Sequence, residues 1–342
     1  MSVTHTGPER TSLGEHAGRI GGRAFGAVMN VPEVPMRWAQ SRLRGGRLGW
    51  LFVAPNLAVF ALFSFLPIVI DIWFSVTGGS ELLPQDRPYV GGANFSDLLA
   101  CGNYADPNSC TRDLFWYGIW NTLEFVVLQV GLILLFSLMT ALVLNRKIVG
   151  RSFFRAVFFY PVLLSPVVVA LIWKWILQRN GVANAAMEGM GAQPVEWLLN
   201  GTWAFSWTVF VSIWAHMGFY TLILLAGLQA IPADIYEAAS MDAAPPWRVF
   251  RRLTFPLLMP SLIVVFVLGL IRAVQIFDEV YVLTGGGPGT ATVYLVQYIY
   301  TTGFAQSVRQ YGLASAASLL LAGVLLVLTL IQLRGMRSEK SG

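Results

Sequence analysis

The sequence predicts an all-α integral membrane protein with six transmembrane helices, on three observations. Apolar residues make up 56% of the 342 positions and charged residues only 12%, about half the charged share of a soluble domain. The apolar residues gather into six runs, near 50–75, 117–144, 156–177, 204–228, 258–282 and 313–333. Each approaches or exceeds the about 20 residues a helix needs to cross a bilayer. Basic residues fall mostly on one side of the alternating connections, which orients the spans.

Residues 1–48 form an arm with seven Arg and no Lys. Its first apolar run starts too late and continues too long for a cleaved signal. Residues 1–35 read as a disordered tail bearing Gly and Arg. Residues 36–47 read either as more of that solvated tail or as a basic helix on anionic lipid. The next division, 49–116, joins the first apolar run to an outward acidic segment over 77–116. There Glu81, Asp86, Asp97, Asp106 and Asp113 face only Arg87 and Arg112. So long a connection is expected to be a folded cap or a partner-facing surface. It also holds Cys101 and Cys110, the chain's two cysteines. In an oxidising compartment CGNYADPNSC either closes as a disulfide or keeps two free thiols, and the sequence does not decide between them.

The third division, 117–334, is the transmembrane core, and 335–342 is a short tail. Arg146, Lys147, Arg151 and Arg155 follow the second run, Arg248, Arg251 and Arg252 follow the fourth, and Arg334, Arg337 and Lys340 end the chain. The opposite side has Arg87, Arg112, Arg179 and Arg309, with Lys174 near its edge. The bias places both termini, and the connection after the fourth run, in the cytoplasm.

That connection, over 229–257, is unusual. It reads IYEAASMDAAPPWRVF at 235–250, charged and twice bent between two apolar runs. Ile231-Pro232 ends the fourth span, because proline cannot continue the hydrogen-bond ladder. Residues 233–241 then predict a short helix with Asp234 and Glu237 near its positive end. Ala244 precedes proline and is pushed out of the helical region, and Pro246 suits the first turn of a second short helix over 247–253. Pro256 and Pro260 punctuate entry to the fifth span. Two short helices joined by a bend make a rigid knob, suited to docking in a partner's groove.

Residues 228–260, LQAIPADIYEAASMDAAPPWRVFRRLTFPLLMP, resemble the EAA loop of the permeases of binding-protein-dependent ABC importers. Glu237, Ala238, Ala239, Asp242, Ala244, Phe250, Leu253, Pro256, Leu257 and Pro260 carry the resemblance. Ala243 departs from it, standing where that family usually has Gly. The adjacent Ala244-Pro245-Pro246 is expected to set the bend through restricted φ and ψ and make glycine dispensable. A second stretch, RAVQIFDEVYVLTGGGPGTATVYLVQYIY at 272–300, resembles the carbohydrate branch through Phe277, Asp278, Tyr281 and the Leu283–Pro288 run. Asn121-Thr122, Tyr160-Pro161 and Ala226-Gly227-Leu228-Gln229 also look like this branch, the maltose and glycerol-3-phosphate permease family. The resemblance spans roughly 117–333.

The resemblance implies a type I importer permease fold in a bacterial inner membrane. It implies coupling residues Glu237, Ala238, Ala239, Asp242, Ala243, Ala244 and Phe250 inserting into two ATPase subunits, which would use ATP and Mg. A second, non-identical permease and an extracytoplasmic binding protein would complete the assembly, with a sugar-like solute. The chain itself is expected to bind no cofactor, metal or nucleic acid and to perform no covalent chemistry. GGGPGTAT lacks the Lys of a phosphate-binding loop and reads as a tight outward turn. His5 and His16 lie in the arm and His216 is alone in the fourth span, so no metal-ligand spacing exists.

Polar groups within spans are expensive and point to a solute path. Arg272, Gln275 and Glu279 recur at helical spacing on one face of the fifth run, and Asn121, Glu124 and Gln129 sit in the second. Cavity lining is the leading reading for Asn121, Gln275 and Asp278. For Arg272 and Glu124 an ion pair fastening helices is favoured, with Glu124 or Glu279 as the partner of Arg272. Tyr220 reads as a packing residue or a surface for a sugar ring. Trp173, Trp175, Trp203 and Trp207 read as interfacial anchors. The competing function is an ion-gradient-driven secondary transporter, which predicts internal repeats and broken ion-binding helices; no convincing repeat is visible.

Overall fold

The computed structural model describes residues 45–146 and 149–338. The expectations for the arm over 1–44, including the lipid-binding segment up to that point, and for the tail over 339–342 lie outside them. The chain divides into two compact units, Met1–Ile70 and Asp71–Gly342. Five of the described helices are long and apolar enough to cross a membrane, and a bent pair adds a sixth if counted as one span.

In the first unit, helix Gly45–Phe60 passes into a π-helical turn at Ala61–Phe65. A second π-turn, Phe250–Thr254, opens the fifth span. Each ends two residues before a proline, Pro67 in one and Pro256 in the other. Proline lacks the amide for the i−4 carbonyl and its ring collides with it. Widening the preceding turn moves that carbonyl aside, and the helix continues. Residues Pro246–Val274 therefore form one helical run. The second short helix expected at 247–253 is the beginning of the fifth span, and Pro256 and Pro260 lie inside it.

The second unit begins with the outward segment, which is folded as expected of a cap. Arg87 is buried and donates from Nε to Thr77 Oγ1 at 2.9 Å, with its guanidinium carbon 4.6 Å from the Phe74 ring centroid. Helix Ala93–Leu99 is pinned by Trp116 Nε1 donating to the Leu98 carbonyl and by the Arg112–Asp97 ion pair. Cys101 and Cys110 oppose each other and are joined as a disulfide. Leu98 is fully buried in the same core as Phe115, Phe125, Leu313 and Ala316. The boundary expected at 116/117 thus runs through a shared core.

The spans of this unit are Asp113–Asn145, Gly201–Ala230, Pro246–Val274 and Tyr311–Gln332. The third run departs from expectation: Arg151–Leu163 and Pro166–Gly189 meet at 103°. Pro161 closes the first helix in a 3-10 turn, and Ser165, extended before Pro166, redirects the chain. The fifth run also ends early. Its helix stops at Val274, Gln275–Phe277 break it, and Asp278–Leu283 form a separate helix. The first core cluster joins the second, fourth and sixth spans, and another packs Leu144, Tyr220, Leu224, Leu258 and Val265.

Candidate functional site

The connection after the fourth span folds as one capped helix feeding a span. Helix Ala233–Met241 follows Pro232, with Asp234 in its first turn. At its end the Ala243 amide donates to the Ser240 carbonyl and the Ala244 amide to the Ala239 carbonyl, both at 3.1 Å. These are the paired bonds of a Schellman cap, which requires a left-handed residue at its centre. Ala243 supplies it with φ +49°. The expectation that Ala244-Pro245-Pro246 would remove this requirement is overturned: the prolines follow the cap and do not replace it. Tyr236 and Thr254 hydroxyls meet at 3.2 Å, tying the short helix to the foot of the fifth span. Trp247 stacks on Phe250 at 5.8 Å between centroids.

A second polar constellation lies between the fourth and fifth spans. Glu279 is 2% exposed and its Oε1 sits 3.4 Å from His216 Nε2 and 3.5 Å from Arg272 NH2. Arg272 NH2 lies 3.1 Å from His216 Nε2, and His216 Nδ1 lies 2.8 Å from the Ser212 carbonyl. Nearby, Gln129 donates to Ser212 Oγ at 3.3 Å.

The glycine-rich run after Asp278–Leu283 is a tight turn, with Gly285, Gly286 and Gly289 at positive φ. Thr292 Oγ1 donates to the Gly287 carbonyl at 2.7 Å, and the turn is held to the second span by Asn121.

Residues 133–334 match the family described as binding-protein-dependent transport system inner membrane component. The chain belongs to that family. The permease is 35% identical over 296 residues to the trehalose/maltose transport system permease protein MalF of Thermococcus litoralis, covering 86% of this chain and 95% of that one. It is 31% identical over 297 residues to the lactose transport system permease protein LacF of Rhizobium radiobacter, covering 85% and 95%. Its fold is similar to the crystal structure of a bacterial ABC transporter involved in import of the acidic polysaccharide alginate. The TM-score is 0.71 at 24% identity, covering 85% of this chain and 95% of that one. The fold is therefore that of a type I importer permease, and the protein is a multi-pass membrane transport component.

The expected residues of the permease distribute unevenly. Glu237, Ala238, Asp242 and Ala243 are exposed on the capped helix, Ala244 and Phe250 are half-buried, and Ala239 is buried. Among the solute-path candidates, Asn121 is a fastener: its Nδ2 donates to the Thr290 and Val293 carbonyls at 2.7 and 3.0 Å. Tyr220 is 3% exposed and packs within the inner core. Glu124 is exposed, and Arg272 pairs with Glu279 instead. Gln275 and Asp278 are exposed at the helix break. Trp173 and Trp207 form an aromatic cluster with Phe210 and Trp214, with centroids 5.1–5.6 Å apart around Trp173. His216, read as solitary, proves to be the hub of the charged cluster. The helical break hid this, since no Gly or Pro marks Gln275–Phe277.

Proposed function

We propose that this permease forms half of the translocation path of an ATP-driven importer for a sugar or sugar-like solute. The names of its relatives support the solute class, with maltose, trehalose and lactose carriers at 31–35% identity. Both termini and the capped helix face the cytoplasm of a bacterial inner membrane, consistent with the distribution of Arg and Lys. A non-identical second permease completes the path, an extracytoplasmic binding protein delivers the solute, and two ATPase subunits supply energy from ATP and Mg.

The observation that carries the reading is the construction of the capped helix. It is short, exposed on one face, fixed at its end by two cap bonds, and tied by Tyr236 to a helical run continuous with the fifth span. A lever needs this stiffness. Closure of the ATPase pair would displace Ala233–Met241 as a body, and Pro246–Val274 would carry the displacement into the membrane. Secondary transport gives so exposed and so rigid a helix no task.

The test is assembly. The tagged permease, expressed together with candidate ATPase, second permease and binding-protein genes, is purified in detergent. Recovery of the ATPase subunits with the tag, and solute-stimulated ATP hydrolysis, support the reading. A permease that transports without an ATP-hydrolysing partner overturns it.

A further inference from the structure

Arg272, Glu279 and His216 bridge the break in the fifth span. Helix Phe255–Val274 is capped at Gln275, and helix Asp278–Leu283 begins three residues later. Arg272 occupies the last turn of the first piece and Glu279 the first turn of the second. Each charge suits its helix end. Their side chains meet across the gap at 3.5 Å. His216, on the fourth span, joins both. Its Nδ1 lies against the Ser212 carbonyl, so the proton sits there, and Nε2 accepts from Arg272.

A carboxylate as buried as Glu279 is costly, and well-packed apolar residues would seal the same gap. The cluster connects three bodies that the backbone joins poorly. One is the lever, Phe255–Val274. Another is the fourth span. The third is Asp278–Leu283, itself clamped to helix Pro166–Leu177 by Lys174 Nζ donating to the Val282 carbonyl at 3.0 Å. Leu283 is buried in the same place with Val169, Ala170, Val211 and Ala215. Glu279 Oε1 accepts no hydrogen bond in this conformation. It stands 3.5 Å from Arg272 NH2, and a shift of roughly 0.5 Å would bring that donor well within hydrogen-bond range.

We propose that Arg272, Glu279 and His216 are positioning residues that latch the two pieces of the broken fifth span, so that displacement of the cytoplasmic helix reaches the outer helix pair. The inference rests on the importer reading above. Without the latch, the lever moves and the three-residue hinge at Gln275–Phe277 absorbs the motion.

The experiment uses the permease assembled with its ATPase and second permease subunits in proteoliposomes, Cys101 and Cys110 left joined. Spin labels at Val143 and Leu257 report the lever, and labels at Leu114 and Gln178 report the outer pair. Distances are measured before and after trapping with ATP and vanadate. In the parent both distances shift. In Glu279→Gln the lever shift persists and the outer shift is lost; the swap Arg272→Glu/Glu279→Arg restores it. The neutral pair Arg272→Gln/Glu279→Gln leaves no unmatched charge to disturb assembly, and it too loses only the outer shift. A full outer shift in Glu279→Gln or in the neutral pair overturns the latch, as does a swap that fails to restore it. If neither distance moves in the parent, the importer reading itself fails and the latch falls with it.

Discussion

The Ala244 amide donates to the Ala239 carbonyl at 3.1 Å across Ala243, which is held at φ +49°. An L-residue in that conformation carries a Cβ clash worth about 1 kcal/mol, which glycine lacks. Ala243→Gly should therefore stabilise the cap, partly offset by the greater freedom of glycine in the unfolded loop. Hydrogen exchange at the Ala244 amide is expected to slow by roughly twofold to fivefold, since exchange reports local opening. Faster exchange would show that Ala243 is unstrained.

Asn121 is predicted to matter for stability before it matters for solute. Its two hydrogen bonds hold the Thr290 and Val293 carbonyls against the second span. Asn121→Ala leaves those acceptors unpaired at a cost of about 1–3 kcal/mol. The detergent-solubilised permease should melt at lower temperature, with exchange protection lost around 290–295. Unchanged melting would return Asn121 to the cavity.

Gly218 marks a close approach of the fourth span to the bent pair. A Cβ there would lie 2.4 Å from the Phe158 carbonyl oxygen, a backbone atom that cannot step aside alone. Gly218→Ala should cost about 1–3 kcal/mol through overpacking, seen as a lowered melting temperature. A neutral result would mean that helix Arg151–Phe159 moves freely against the span.

The sequence revealed the fold where local chemistry decides it. Ile231-Pro232 ends the fourth span as expected, and the predicted helix at 233–241 matches Ala233–Met241. Proline was misleading in both directions. Pro166 bends the third run by 103°, whereas Pro256 sits within a continuing helix because a π-turn relieves its clash, and Pro260 lies inside the same helix. Apolar patterning distinguishes neither outcome. The break at Gln275–Phe277 was invisible because Ile276 is buried by tertiary packing and no local signal opposes helix there. That break is also why the candidate site was only half legible. Helical spacing put Arg272 and Glu279 on one face, and they do meet, but across a gap. The partner His216 lies 56 residues away in sequence, beyond any spacing rule.

The central claim is that the capped helix couples this permease to ATP hydrolysis, and Glu237 tests it most directly. Its side chain is exposed on Ala233–Met241, while the helix is stabilised by backbone cap bonds that Glu237→Ala leaves in place. In membrane vesicles carrying the complete importer, energised with ATP and supplied with binding protein, the account predicts parental amounts of Glu237→Ala permease. It predicts that ATPase association and solute uptake are lost together. Uptake at the parental rate by Glu237→Ala would contradict it.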